Sequence, residues 1–338
     1  MSPSTRTPNN PTPPIITIFI LTLAITLLSL PPASSSSSSS SPPPVFPSLI
    51  EATEKILASR QSSVSPLVLR RVLSGSQVDE LFGTRDDLTS LIEAATSPDH
   101  PECSMELNRD VKVVRRTVDE ETGEPWTGVV EVGSSRDVFA AMAAGNTLVV
   151  NRIQDQEECQ EGRRLIDGVR RVSRVVEEGA YPEDPVVGSV NMYFSSPSKA
   201  GFEAHFDLMD VVIVHLGGRK TWSVYTPQVW FPLPDMAGRP EFDSLDLLGS
   251  FDLFPGDVLF LPRGYIHEAR AVGSSPSVHL TFGFEVYNAT YAFRALPCTL
   301  PQDSDDSFHS RLTPTELPED VAASILPSPL CPPSHSDL

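Results

Sequence analysis

The chain has 338 residues, a formal net charge of −19, four cysteines and hydrophobic residues at 40% of its positions. That length holds one large domain or two small ones. The charge excludes a nucleic-acid binder that works by general attraction to phosphate, so no direct nucleic-acid binding is expected; a charged partner, if there is one, should be a basic protein or peptide.

Residues 1–45 stand apart from the fold. An uncharged run from Ile15 to Leu30 follows a leader whose one basic side chain is Arg6, and it runs into the tract PPASSSSSSSSPPP. This is the shape of a secretory signal with a small-residue cleavage zone near Ala33, slightly short for a membrane span of about 20 residues. A signal anchor and a bipartite plastid leader have the same outline. The expected location is the secretory pathway or ER lumen, with membrane contact only through this segment if it is not removed. The Ser/Pro tract reads as a disordered spacer.

Residues 46–110 read as a helical lead-in. Leu49, Ile50, Ile56 and Leu57 recur at helical spacing, Ser76 with Asp79 has the form of a capping box, and DDLTSLIEAA continues the pattern. From 111 to 295 a larger domain is expected. VKVVRRTV and NTLVVNRI are β-branched runs separated by a helix that opens near Ser134 or Ser135 and ends at Gly145. An amphipathic helix should follow from about Asp155 to Glu178, with Leu165, Ile166, Val169, Val172 and Val175 as its apolar stripe and Arg163-Arg164 and Arg170-Arg171 on its solvated face.

The polar pocket should begin near Val187. In SVNMYF, Asn191 and Tyr193 share one face while Val190, Met192 and Phe194 share the other. Ser277, His279 and Thr281 alternate in the same way against Val278, Leu280, Phe282 and Phe284. Strands that turn polar groups inward and large apolar groups outward build a small barrel or jelly roll able to hold one ligand. Residues 296–338, rich in Pro, Ser and Asp, read as a disordered tail.

Between those strands lies GFEAHFDLMD. If the segment is extended, His205 and Asp207 point into one pocket. His267, after the strand-like VLFL and a Pro262-Arg-Gly264 turn, is suited to supply a third ligand. Two imidazoles and a carboxylate on one side of a metal leave open positions opposite, which suits non-haem Fe(II) working on O2. The His-x-Asp pattern alone says little. Seven histidines and 44 acidic residues among 338 give roughly one His-x-Asp/Glu by chance, and His100-Pro-Glu102 and His335-Ser-Asp337 match as well. Context therefore carries the inference.

Lys220, on KTWSVY, shares a face with Trp222 and Val224. Its ammonium would enter a largely apolar space, an expensive position unless an anion meets it. His215, on the apolar run VVIVHLGG, reads as a packed, hydrogen-bonded histidine rather than a fourth ligand. His279 has equal claims to a pocket contact and to a structural role. Asp210 reads as a supporting or loop residue, and Gly256-Asp257 and Gly264 as turn residues. Cys103, Cys159, Cys298 and Cys331 lie far apart with no Cys-x-x-Cys, and support neither a zinc site nor a disulfide framework, while two bridges in an oxidising lumen stay open as an alternative. Asn288-Ala-Thr290 is a glycosylation sequon.

Five blocks in order, Asn191-Met-Tyr193, Gly201 to Asp207, Gly218 to Trp222, Pro255 to Asp257 and Pro262 to His267, resemble the JmjC-domain 2-oxoglutarate oxygenases, and within them the ribosomal-oxygenase branch, the protein histidyl hydroxylases. The resemblance implies a mainly β fold with flanking helices, a double-stranded β-helix of the jelly-roll or cupin type. It implies Fe(II), 2-oxoglutarate and O2 as cofactor and cosubstrates, with iron on His205, Asp207 and His267. It also implies Lys220 on the distal carboxylate of 2-oxoglutarate, assisted by Asn191, Tyr193 and Thr281. The implied activity is hydroxylation of a protein side chain with release of succinate and CO2. Histone lysine demethylation, an oxygenase for a small molecule or nucleoside, and a non-catalytic metal-binding cupin are the competing expectations, and family analogy offers the nucleus as a competing location. The ribosomal branch continues past its barrel into a dimerisation region and a winged helix, for which 296–338 has no matching pattern.

Overall fold

The computed structural model describes residues 46–62, 64–97, 99–103, 105–118, 125–182, 186–197, 201–228 and 244–286. The leader, the tail, the sequon and Cys298 and Cys331 lie outside them. Five α-helices and eleven strands are found among the described residues. They run α1 Pro47–Ser62, β1 Leu67–Leu69, α2 Gly75–Phe82, α3 Arg85–Ala95, β2 Val111–Val118, β3 Pro125–Val130, α4 Ser135–Ala143, β4 Thr147–Val150 and α5 Arg163–Ala180. The second half is all strand: β5 Val186–Ser195, β6 Asp210–Gly217, β7 Lys220–Tyr225, β8 Leu247–Leu253, β9 Val258–Leu261, β10 Ile266–Ala271 and β11 Ser277–Val286.

The strands form two antiparallel sheets, a large one ordered β1-β9-β6-β11-β5-β4-β2-β3 and a small one ordered β10-β7-β8. Alternation along each strand sends the two faces of the large sheet to different neighbours. On one face Met192, Val212, Val214, Leu280, Phe282 and Phe284 pack with Leu49 and Ile56 of α1, Leu81 and Phe82 of α2, and Val169 and Val172 of α5. On the other, Val211, Ile213, Leu259 and Leu261 pack against Trp222, Val224 and Leu253 of the small sheet. Two apolar layers thus share one sheet, which is the expected mainly β architecture with flanking helices. Burying a phenylalanine such as Phe282, which is fully enclosed, is worth about 1.5–3 kcal/mol, so the helix layer fixes the large sheet that carries half of the pocket.

The helices follow the sequence with three corrections. The 46–97 stretch is not wholly helical: Leu67–Leu69 pairs with Phe260 to Val258 as an edge strand. The capping box is Ser74 with Gln77, not Ser76 with Asp79; the Ser74 N–H donates to Gln77 Oε1 at 2.8 Å and the Gln77 N–H to Ser74 Oγ at 3.3 Å. And α5 starts at Arg163 rather than Asp155, because the chain before it turns through a 3₁₀ segment at Ile153–Asp155 and through Gly162 at φ 72°. On α5, Gly168 allows α2 to approach closely, since a Cβ there would lie 1.8 Å from the Leu81 carbonyl oxygen.

The structure answers the open question of cysteine pairing for two of the four. Cys103 and Cys159 form a disulfide, 56 residues apart in sequence. Their wide spacing hid the pairing, because packing of the chain ahead of α5 against the segment after α3 brings them together.

A buried ionic knot ties the helical lead-in to the pocket's frame. The Arg60 guanidinium lies 3.7 Å over the Tyr181 ring, with its Nε 3.4 Å from Asp210 Oδ2. Tyr181 Oη donates to Asp210 Oδ2 at 3.2 Å, and the Arg263 N–H donates to Oδ1 at 2.9 Å. Asp210, at the head of β6, thereby anchors the 262–264 turn. Burial pushes its carboxyl upward and Arg60 pulls it back.

Candidate active site

The candidate ligands are held by backbone before they are held by side chains. The His205 N–H donates to the His267 carbonyl at 3.1 Å and the His267 N–H to the His205 carbonyl at 2.7 Å, an isolated antiparallel bridge. His267 is the second residue of β10. His205 belongs to no strand, contrary to the extended-strand expectation, and Asp207 lies in the irregular approach to β6, where its carbonyl accepts the Gly264 N–H at 3.1 Å. Gly264 reaches that contact with φ 87°, a backbone region that favours glycine.

Both imidazoles are pinned through Nδ1, His205 to the Glu203 carbonyl at 2.8 Å and His267 to the Tyr265 carbonyl at 2.9 Å. With Nδ1 as donor, each ring presents the Nε2 lone pair, the arrangement that orients metal-binding histidines. Asp207 Oδ2 is 3.6 Å from His267 Nε2, and one ligand atom from each of the three residues falls within 4.8 Å of the others. Burial holds the His267 imidazole down at about 4, aided by His205 and opposed by Asp207, so the ring is neutral and available as a ligand at pH 7. Two imidazole nitrogens and one carboxylate oxygen, converging and already oriented, fit a divalent transition metal.

Behind this cluster the inner face of the pocket turns polar. Lys220 is 3% exposed. Its Nζ donates to Ser195 Oγ at 3.0 Å and lies 3.5 Å from His279 Nδ1. Among the described residues no carboxylate pairs with it, and burial lowers it from 10.5 to about 7. His279 in turn is kept well below its ordinary value by burial, then by Lys220 and His215. Three more polar atoms in this region lack a hydrogen-bond partner among the described residues: His215 Nδ1, Trp222 Nε1 and Ser277 Oγ. An enclosed ammonium beside unsatisfied polar atoms is the lining an anionic ligand would complete.

Register explains how these side chains meet. Across β5, β11 and β6, Tyr193 faces His279, which faces His215; one step further Asn191 faces Thr281, and Ser195 faces Ser277. The Tyr193 ring stacks on His279 at 4.9 Å with planes 5° apart. Its hydroxyl is pushed upward by burial first and by Asp207 second, against a hydrogen bond with Asn191. Asn191 Oδ1 also accepts the Arg152 N–H at 3.1 Å. Trp222 joins the two halves of the site, its ring 5.9 Å from His267 and 5.3 Å from His279.

The structure thus brings His205, Asp207 and His267 into one cluster, and Lys220, Tyr193 and His279 into a second. Asn191 and Thr281 are neighbours on the same inner face, with Thr281 half-buried. His215 is packed as expected, its Nε2 3.2 Å from the Gly218 carbonyl, and burial lowers it to about 4. Sequence reasoning missed Ser195, although continuing the Asn191, Tyr193 alternation by two residues reaches it.

This geometry has a matching sequence family. The family model described as "JmjC domain" matches residues 171–291. Residues 171–291 are similar to the JmjC domain. That stretch takes in the end of α5 and β5 to β11, and so includes every candidate site residue. A human protein named ribosomal oxygenase 1 is 38% identical over 96 residues, 27% of this chain and 15% of that protein. A Drosophila pseudoobscura pseudoobscura protein named bifunctional lysine-specific demethylase and histidyl-hydroxylase NO66 is 32% identical over 91 residues, 27% of this chain and 10% of that one. The matched stretch therefore spans no more than 15% of either relative's length. Among solved structures, Escherichia coli ycfD has a TM-score of 0.42 and 18% identity, covering 80% of this chain and 66% of that one. Escherichia coli ribosomal oxygenase YcfD in complex with cobalt and 2-oxoglutarate has a TM-score of 0.40 and 17% identity, covering 77% and 62%. The sequence matches named for ribosomal oxygenases are thus confined to about a quarter of this chain.

Proposed function

We propose that this chain is an Fe(II)- and 2-oxoglutarate-dependent oxygenase that hydroxylates a side chain of a protein or peptide. The observation that carries the reading is the pairing of two features about one tryptophan: three oriented metal donors on one side, and on the other a buried lysine without a carboxylate partner among the described residues. On this reading His205, Asp207 and His267 hold the iron. Lys220, with Ser195 as its fixed hydrogen-bond neighbour, receives the distal carboxylate of 2-oxoglutarate. Asn191, Tyr193 and Thr281 line the same face, and Trp222 excludes water between the two halves. The chemistry supplied on loading is insertion of one oxygen atom of O2 into a C–H bond, coupled to conversion of 2-oxoglutarate to succinate and CO2. The protein's part is orientation and dryness.

A protein substrate is supported by the names of the relatives, which include a histidyl-hydroxylase, and a basic one by the net charge of −19. The test uses the full chain with Fe(II), 2-oxoglutarate and O2. Succinate should form, and His205→Ala should abolish it; equal turnover by the variant removes the triad assignment. Basic peptide pools and metabolite pools are then searched by mass spectrometry for a gain of one oxygen atom. A product found in peptides supports the reading, and products confined to metabolites or nucleosides overturn it. Loss of a methyl group from lysine peptides instead would favour demethylation.

A further inference from the structure

A second set of metal-binding side chains converges well outside this pocket's inventory. His100 and Cys103 are brought together by the 3₁₀ turn Pro101–Cys103, in which the Cys103 N–H donates to the His100 carbonyl at 3.0 Å. Cys159 and Glu161 lie in the turn that leads into α5. The two sulfurs are bonded and fully buried. Glu161 reaches both segments: its Oε2 is 3.3 Å from Cys103 Sγ, its Oε1 is 3.6 Å from His100 Nδ1, and its own carbonyl oxygen is 3.0 Å from Cys159 Sγ. Disulfide sulfur carries no hydrogen, so in the oxidised state these two oxygens face sulfurs that have nothing to donate. Ligand atoms of Cys103, Cys159 and Glu161 all lie within 4.8 Å of one another, and so do those of His100, Glu102 and Glu161.

We infer that, once its disulfide is reduced, Cys103, Cys159, His100 and Glu161 form a four-coordinate site for a thiophilic divalent cation of the zinc class. Two thiolates, one imidazole and one carboxylate are ligand types that zinc takes in tetrahedral sites, and thiolates select it over harder ions. The sulfurs are enclosed while His100 and Glu161 are partly exposed, which leaves an entry path for the ion. The cluster ties together the same two segments as the disulfide, so metal and S–S bond are alternative clasps. A dithiol reductant supplies two electrons and two protons, becoming a disulfide itself as the protein disulfide becomes two thiols. Binding the dication then releases those two protons. In reverse, a disulfide oxidant accepts the two electrons, the protein S–S bond re-forms, the oxidant leaves as two thiols after taking up two protons, and the ion departs.

The test is a Co(II) titration of the full chain, reduced with a phosphine under anaerobic conditions and desalted. Sulfur-to-cobalt charge-transfer absorption should rise to one equivalent per chain, a signal the sulfur-free His205, Asp207 and His267 cluster cannot produce. It should be lost on prior oxidation with diamide, lost in Cys103→Ser/Cys159→Ser, and weakened at least about tenfold in affinity in Glu161→Gln and in His100→Gln. Circular dichroism checks that each variant is folded. The inference is overturned if folded chain with its thiols free gives no such absorption, or if the disulfide resists reduction without unfolding. It is also overturned if the signal survives in the double serine variant, or is indifferent to both Glu161→Gln and His100→Gln.

Discussion

Replacing Lys220 by methionine should make the protein more stable and unable to bind its cosubstrate. In the unfolded chain Lys220 keeps its proton up to about 10.5; in the folded chain burial lowers this to about 7. Below pH 7 both states are protonated, and the folded state bears the full cost of an enclosed charge. Between 7 and 10.5 folding releases a proton, so wild-type stability rises with pH; above 10.5 the cost is gone. At about 1.4 kcal/mol per tenfold change in proton affinity, the penalty at pH 7 is on the order of 4 kcal/mol. Methionine removes it at similar length and forfeits one hydrogen bond to Ser195, worth about 1 kcal/mol. Ser195 Oγ still accepts from Thr147 Oγ1 at 3.3 Å. The ligand-free Lys220→Met variant should therefore be more stable by on the order of 3 kcal/mol at pH 7, with the advantage shrinking steadily toward pH 9.5. Urea unfolding at several pH values measures it. An advantage that is absent, or that does not change with pH, would refute the buried-charge argument. In parallel, 2-oxoglutarate with Mn(II) should raise the wild-type midpoint and not the variant's; equal protection of both would show that Lys220 does not receive the anion.

Three further perturbations probe other parts of the structure. His215 holds its folded imidazole at about 4 against an ordinary 6.5, so it contributes stability at neutral pH that is lost as pH falls through that window; His215→Gln should flatten the acid limb of the stability curve, with a gap of up to about 3 kcal/mol at pH 4 in urea titrations. Reducing Cys103–Cys159, which closes a loop of 56 residues, should cost about 4 kcal/mol on the chain-entropy account, read as a lower urea midpoint in chelator-containing buffer with phosphine than without it. Gly256→Ala meets both a φ of 87° and a Cβ 1.8 Å from the Leu73 carbonyl oxygen, so the loop before β9 must move; a loss of several kcal/mol is expected in thermal melts, and a neutral result would contradict the described turn.

The inner strands were readable because their period of two is written in polar and apolar residues. Asn191 and Tyr193 against Met192, and His279 and Thr281 against Leu280, announce a sheet with one polar face. The clustering of His205, Asp207 and His267 was readable for a different reason: their motif context survives even though His205 sits in no strand. What could not be read depends on packing between distant segments. Nothing local to Cys103 or Cys159 names the other. Arg60 on α1 gives no hint that it closes on Asp210, 150 residues on, and Leu67–Leu69 is too short to show a period before β9 recruits it. Helix α5 begins late because Gly162 and the Cys159 crosslink, rather than propensity, decide where the chain can start to coil.

The His205–His267 bridge makes the two sides of the proposed metal cluster unequal. His267 belongs to a strand with a full ladder on one side, whereas His205 is moored to it by a pair of backbone bonds, and Asp207 to the 262–264 turn by one more. The arm bearing His205 and Asp207 can peel from β10 without undoing either sheet, and an ion gripped from both banks would have to leave before it did. Deuterium uptake at the amides of residues 205 and 267 should therefore act as a built-in occupancy gauge, quick before a divalent ion is added and slow once it is bound.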